Sequence, residues 1–136
     1  MTMLLLLAVP IPALGRSEFG GEDKACADTG NAEAAISACT RLSENRGLGK
    51  RNRAIALGNR GAAYKTLGRY EEAVADFDQA SELDPGNPQY YCQRGDVHIR
   101  TGALDAAIAD YSAALTPLAP PGLGVAGARP GVPRQE

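Results

Sequence analysis

Tryptophan is absent from the chain, and phenylalanine and tyrosine together make up 5% of it. A core must therefore be built from Ala, Leu, Ile and Val rather than from large rings. β-Branched residues are scarce outside isolated positions while alanine is very common, a balance that favours helices packed closely together. An excess of one charge is missing as well: the formal net charge is −2, which provides no broad basic field for nucleic acid or an anionic membrane. No nucleic-acid partner is expected. With 136 residues, 44% of them hydrophobic and 22% charged, the chain has the size and composition of a single globular domain of the all-α class.

A long uninterrupted apolar run is also lacking. The longest, Met3 to Leu14, is broken by Pro10 and Pro12, whereas a membrane span needs about 20 apolar residues. No stable membrane span is expected. Ala13 and Gly15 stand at the end of the run as they would at a signal-peptidase site, so residues 1–15 read as an export signal, against the alternative of an incidental apolar N-terminus. Export would place the protein in the periplasm or outside the cell; without it the protein would be cytoplasmic.

What is abundant is a repeated pattern. Gly61 and Gly95, Gly68 and Gly102, Ala73 and Ala107, Phe77 and Tyr111, and Ala80 and Ala114 are all separated by one and the same interval, and so many matched small or aromatic positions mark a structural repeat. Apolar residues recur at helical spacing before and after the central Gly68 and Gly102, which suit the left-handed turn that closes a helix. The unit is a helical hairpin. Gly61 and Ala73 are expected at one level, where the two helices touch, with Tyr64, Leu67, Val74 and Phe77 filling the flanks. Asp84 and Pro85 end the second helix, and Gly86, Asn87 and Pro88 turn the corner. A fainter copy precedes these, with Gly30, Ala35 and Cys39 falling slightly more than one period before Gly68, Ala73 and Phe77. The loop from Ser43 to Lys50 absorbs the excess, and a helix is expected from about Asn31 to Glu44.

Residues 54–87 resemble a complete tetratricopeptide repeat, with Leu57, Gly61, Tyr64, Gly68, Tyr70, Ala73, Phe77, Ala80 and Pro85 matching in type and spacing. Residues 88–116 look like a second copy in which His98 takes the place of Tyr64 and the terminal proline moves to Pro117 or Pro120. The resemblance implies stacked antiparallel helical hairpins, a fragment of an α-solenoid. The chain then divides into 1–15, the signal; 16–50, an atypical N-terminal half-repeat and loop; 51–116, two repeat units; and 117–136, a tail. The opening unit is similar to that of small exported bacterial proteins of this family, in which two cysteines bracket a glycine-containing turn. By that resemblance Cys26 and Cys39 are candidates for a disulfide, which would close a loop of about 14 residues and contribute on the order of 3 kcal/mol. Two separate buried thiols are the alternative. A bridge is expected to need Cys26 in a loop folded back along the helix, because a helical Cys26 would sit more than two turns from Cys39. Cys92 is left as a free thiol, packed or facing the groove.

Chemistry-bearing constellations are sparse. His98 is the single histidine, and its place in the repeat is an aromatic packing position rather than that of a general base. The three cysteines show no C-x-x-C spacing, so no metal site is expected. Gly58, Gly61, Gly68, Gly95 and Gly102 are turn and crossing glycines, not a phosphate loop. Glu71, Glu72, Asp76, Asp78, Glu82 and Asp84 read as a solvated helix face. Lys50 to Arg53, with Arg46, form the one basic cluster and read as a solvated helix start. No enzymatic activity and no cofactor are expected.

What the resemblance implies instead is a concave surface built from the first helix of each unit, suited to a peptide or partner protein. The side chains free to make contact there are Asn59, Ala62, Lys65 and Thr66 on one helix and Gln89, Gln93, Asp96, Ile99 and Arg100 on the next. A clamp for a C-terminal carboxylate, known in the family, would want polar or basic groups where Gly58 and Ala62 stand, although Asn59 fits it. The tail from Thr116 is rich in Pro and Gly, reads as disordered and carries a weak polyproline pattern at "PLAP". The second copy thus ends without a closing helix, and its last face needs a cover, for which another copy of the chain would serve. Failing that, the sequence is an accessory or regulatory fragment of a larger enzyme, or a truncated family member.

Overall fold

The structure, a computed structural model, describes residues 18–116. The apolar N-terminal run and the Pro/Gly-rich tail lie outside the described residues, and so do the export and disorder readings attached to them. Between these limits helix and tight turn alternate. Gly68 and Gly102 have φ of +73° and +79°, a conformation that a Cβ penalises, and each follows the first helix of a hairpin. These hairpins are α3 (Lys50–Thr66) with α4 (Tyr70–Leu83), and α5 (Pro88–Thr101) with α6 (Leu104–Leu115). Pro88 opens α5 where a missing N–H costs nothing, and Asn87 Oδ1 accepts the Gln89 N–H at 3.0 Å. Upstream lies α2 (Ala32–Glu44), capped by Asn31 Oδ1 accepting from the Ala34 N–H at 3.1 Å. It is preceded by α1 (Glu18–Ala27). The described residues form six helices and no strand, an all-α fold as the composition predicts.

Each helix packs on the next in order, and α3 also touches both α1 and α5. Among the described residues, direct packing between α2 and α4, or between α4 and α6, does not occur. The odd-numbered helices therefore crowd together on the inner, concave side of the stack, and the even-numbered helices splay apart on the outside.

Glycine and aromatic residues interlock across each hairpin. A Cβ at Gly61 would lie 2.9 Å from the Phe77 ring, and one at Gly95 would lie 3.1 Å from the Tyr111 ring. Phe77 is 1% exposed, and its burial is worth on the order of 3 kcal/mol. The group that meets the Gly61 backbone is thus this ring rather than Ala73, which is itself fully buried in the cluster with Phe77 and Val97. Leu67, expected among the fillers, is 41% exposed, because it caps α3 at the turn and points off the end of the hairpin.

The acidic face of α4 is not wholly solvated, contrary to its charge pattern. Asp76 is 3% exposed and accepts two hydrogen bonds from Arg60, Nε to Oδ2 and Nη2 to Oδ1, each 2.7 Å. The third donor, Arg60 Nη1, reaches Thr40 Oγ1 at 3.0 Å on the preceding hairpin. The same fork recurs one period on. Arg94 Nε and Nη2 donate to Asp110 at 2.9 and 2.5 Å, and Arg94 Nη1 reaches Asp78 on the preceding hairpin. A bidentate guanidinium suits this task because its planar donors match a carboxylate while the remaining nitrogen points elsewhere. Hydrogen bonding to Asp76 raises the Arg60 pKa despite partial burial, and Asp110 does the same for Arg94. Arg53, read from sequence as part of a solvated helix start, donates from Nε to the Ser43 carbonyl at 2.9 Å and ties α3 to the end of α2.

Cys26 lies within α1 rather than in a loop, yet its Cα is 4.7 Å from that of Cys39 and the two sulfur atoms are within bonding distance. The expected axial gap is closed by the linker. Cys39 stands about 10 Å along α2 from its start, and the five peptide steps from Ala27 to Ala32 can span about 16 Å. The connection runs back beside α2 and lets α1 end level with Cys39.

Removing Asp76 strands Arg60 with only a neutral hydroxyl, whereas removing Asp110 leaves Arg94 its contact with Asp78. Asp76→Ala is therefore expected to destabilise by about 3 kcal/mol and Asp110→Ala by roughly half that, in urea unfolding followed by circular dichroism. Equal losses would refute the role assigned to the third donor.

Candidate functional site

The concave side carries a row of hollows along α3. Between α3 and α5 a solvent-open hollow of about 520 Å³ is lined by Ile55, Gly58, Asn59, Ala62, Phe77, Asn87, Gln89, Tyr90 and Gln93. On the other flank of α3, one hollow includes Cys26, Ala27, Asn59, Ala62 and Thr66, and a second includes Asp23, Leu48, Asn52, Ile55 and Asn59. Asn59 borders all three, and its Nδ2 points toward Cys26 Sγ at 3.8 Å. Of the nine residues singled out from sequence, Asn59, Ala62, Gln89 and Gln93 surround the hollow between α3 and α5. Lys65, Thr66 and Arg100 gather with Leu67, Gly68 and Tyr70 at the far end of the two helices. Asp96 sits between these groups, and Ile99 is 51% exposed.

Lys65 and Asp96 are already partnered, whereas Arg100 is exposed. Lys65 Nζ donates to Gln93 Oε1 and lies 3.7 Å from Asp96 Oδ2. The other Asp96 oxygen, Oδ1, accepts the Tyr111 hydroxyl at 2.5 Å. Hydrogen bonding to Asp96, with desolvation second, pushes the Tyr111 pKa up to about 12. His98 is more than a core filler, since its Nε2 lies 3.5 Å from Asp110 Oδ2 beside the Arg94 fork.

Several groove residues are not among the contact residues read from sequence, Asn52, Ile55 and Tyr90 among them. Ile55 is 44% exposed in the first turns of α3, a signal available in the sequence as an apolar residue off the buried stripe. Tyr90 owes its place to Gly58, where a Cβ would come within 2.6 Å of its ring. The ring is 4% exposed and its hydroxyl is buried without a hydrogen-bond partner among the described residues. Burial pushes the Tyr90 pKa up, with Asp84 adding to the effect. No helix among the described residues is long and apolar enough to cross a membrane.

Antiparallel helix pairs stacked in register, with glycine under an aromatic ring in each, define a helical-repeat protein. The family model for the TPR repeat, the tetratricopeptide repeat, matches residues 61–102. Twenty-eight solved chains match. Among them is the second TPR of Spaghetti (RPAP3) bound to the HSP90 peptide SRMEEVD. It is 31% identical to this chain over 71% of this chain and 82% of its own, with a TM-score of 0.58. A search of curated proteins gives no match. The chain belongs to the tetratricopeptide-repeat family and is a protein-interaction module.

The Tyr111 pair yields a pH test. A tyrosine whose folded pKa lies above its unfolded value near 10 adds stability that is whole below pH ~10 and is lost as pH rises through about 12. The protein is expected to weaken over that window, and Asp96→Asn to lower one tyrosinate midpoint and flatten the dependence, in titrations of phenolate absorbance and of unfolding. A variant that titrates as the parent does would remove Asp96 as the cause.

Proposed function

We propose that this module is non-catalytic and binds an extended segment of a partner protein along the concave faces of α1, α3 and α5. The observation that carries this reading is the row of hollows that share Asn59. Their lining pairs the amides of Asn52, Asn59, Gln89 and Gln93 with apolar Ile55, Ala62 and Tyr90. Primary amides donate and accept at once, so they match the alternating N–H and C=O groups of an extended backbone, while the apolar residues receive alternate side chains. The relative described above holds an acidic peptide in its structure. Here the nearest groove cation, Lys65, is engaged by Gln93 and Asp96, and Gly58 and Ala62 offer no charge, so the segment bound is neutral along the hollows beside Asn59, with exposed Arg100 able to receive an acidic group at the far end. Lys65, Thr66, Asp96, Ile99 and Arg100 extend the contact toward the C-terminal ends of α3 and α5.

Selection of a random peptide library displayed on phage against the full chain is expected to enrich neutral sequences. Asn59→Ala combined with Gln93→Ala is expected to weaken the selected synthetic peptide about tenfold, near 1.4 kcal/mol, in fluorescence polarisation. Undiminished binding by that double variant would place the ligand elsewhere.

We propose further that the protein works in an oxidising compartment, the periplasm or the cell exterior, with Cys26 and Cys39 bridged. Their Cα separation of 4.7 Å lies within the range a disulfide spans, and the bridge would pin α1 to α2 at the edge of the hollows. Native protein denatured without reductant should then alkylate at Cys92 alone, and at all three cysteines after reduction. Three labels before reduction would end this reading.

A further inference from the structure

The outer helices meet solvent with charge. Glu33, Arg41 and Glu44 are exposed on α2, and Glu71, Glu72 and Glu82 on α4. On α6 the pattern changes. Leu104 is 61% exposed, Ile108 64% and Leu115 84%, and Asp105 is the one exposed charge of the helix. Leu104 and Ile108 stand one period after Tyr70 and Val74, the residues of α4 that pack on the Phe77 and Val97 cluster shared with α5. The face with which α4 receives the next helix is thus present on α6, and among the described residues nothing covers it.

We propose that α6 pairs with α6 of a second copy of this chain, antiparallel across a two-fold axis. A head-to-tail stack would need an apolar surface at the opposite end of the array. There, among the described residues, α1 exposes Gly21, Asp23 and Lys24, and its Glu22 is paired with Arg41, so the described part of that end offers α6 no apolar complement. A two-fold contact needs only that the face match itself. Leu104, Ile108 and Leu115 fall within about 40° of arc on a helix, and antiparallel pairing sets Leu104 of one copy against Leu115 of the other with Ile108 near the centre. It also carries the two Asp105 carboxylates to opposite ends of a contact about 17 Å long, beyond the ~8 Å over which surface charges act at physiological salt. The negative C-terminal end of each helix meets the positive N-terminal end of its mate. A contact between two helices of this length lies near the ~1,000 Å² lower bound for specific interfaces, which suits a weak, reversible dimer.

Analytical ultracentrifugation of the full chain tests this. The mass is expected to climb from monomer toward dimer between about 1 and 100 µM, the range that micromolar affinity dictates. Ile108→Asp should hold it at the monomer with helical circular dichroism unchanged. Leu115→Lys, at a residue too exposed to affect folding, should weaken the dimer about tenfold or more. A parent chain monomeric throughout would overturn the proposal, as would a dimer that persists in both variants. Dimerisation that appears only when the chain is stopped after Thr116 would overturn it in favour of residues 117–136 as the cover.

Discussion

The ring of Phe77 occupies the space that a side chain at residue 61 would need, and the hairpin depends on that substitution of ring for side chain. A chain with few aromatics cannot fill the gap between two helices with large groups from both sides. It instead removes the side chain from one helix and lets a single ring from the other reach backbone. The helices then come close enough for alanine to complete the interface, which is why Ala54, Ala73 and Ala80 are fully buried although each contributes little area. Tyr111 over Gly95 repeats the arrangement, and Tyr90 over Gly58 uses the same device between neighbouring hairpins.

Close approach also decides where charge can be buried. Arg60 and Asp76 meet because α3 and α4 are held together by the glycine contact, and Gly61 and Phe77 are their immediate neighbours in sequence. A buried pair of this kind adds little net stability over an apolar equivalent, but its geometry is exacting. Two donors fix the angle within a hairpin, and the third fixes that hairpin against the one before it. Thr40 and Asp78, the two acceptors of the third donor, are separated by the same longer interval that displaces the opening copy from the regular period. The loop from Ser43 to Lys50 thus absorbs the excess without disturbing the stacking contact.

Much of this is legible in the sequence because glycine, alanine and aromatic positions are dictated by backbone distance, which leaves little choice of residue. The hairpins, the turns at Gly68 and Gly102 and the limits of α2 follow from those positions alone. The forks do not emerge in the same way, although Arg60 with Arg94 and Asp76 with Asp110 recur at the same period, because an aspartate beside glutamates in a helix reads as solvent-facing until its partner is placed. Cys26 escapes for a different reason: helical rise alone sets it far from Cys39, and only the reach of the linker brings it back. In α1, a helix with two glycines and mixed charges, neither propensity nor periodicity is strong, and it owes its order to packing on α2 and α3. For the groove, the residues on the odd-numbered helices are recognisable by elimination, while Tyr90 depends on a void at Gly58 that only the structure reveals.

Groove and array end share one carboxylate. Asp96 holds Lys65 with one oxygen and Tyr111 with the other, and the Tyr111 ring is the group that fills the space above Gly95. The packing of α6 therefore sets the charge seen by a segment lying along α3 and α5. Were Tyr111 withdrawn, Asp96 would be free to turn wholly to Lys65 or to an incoming donor. Anything that steadies α6, whether the hairpin contact itself or the proposed second helix laid against Leu104, Ile108 and Leu115, would thereby steady the position of Asp96 on the opposite side of the stack. Such a coupling would run through one short chain of contacts between named groups and would need no change of fold.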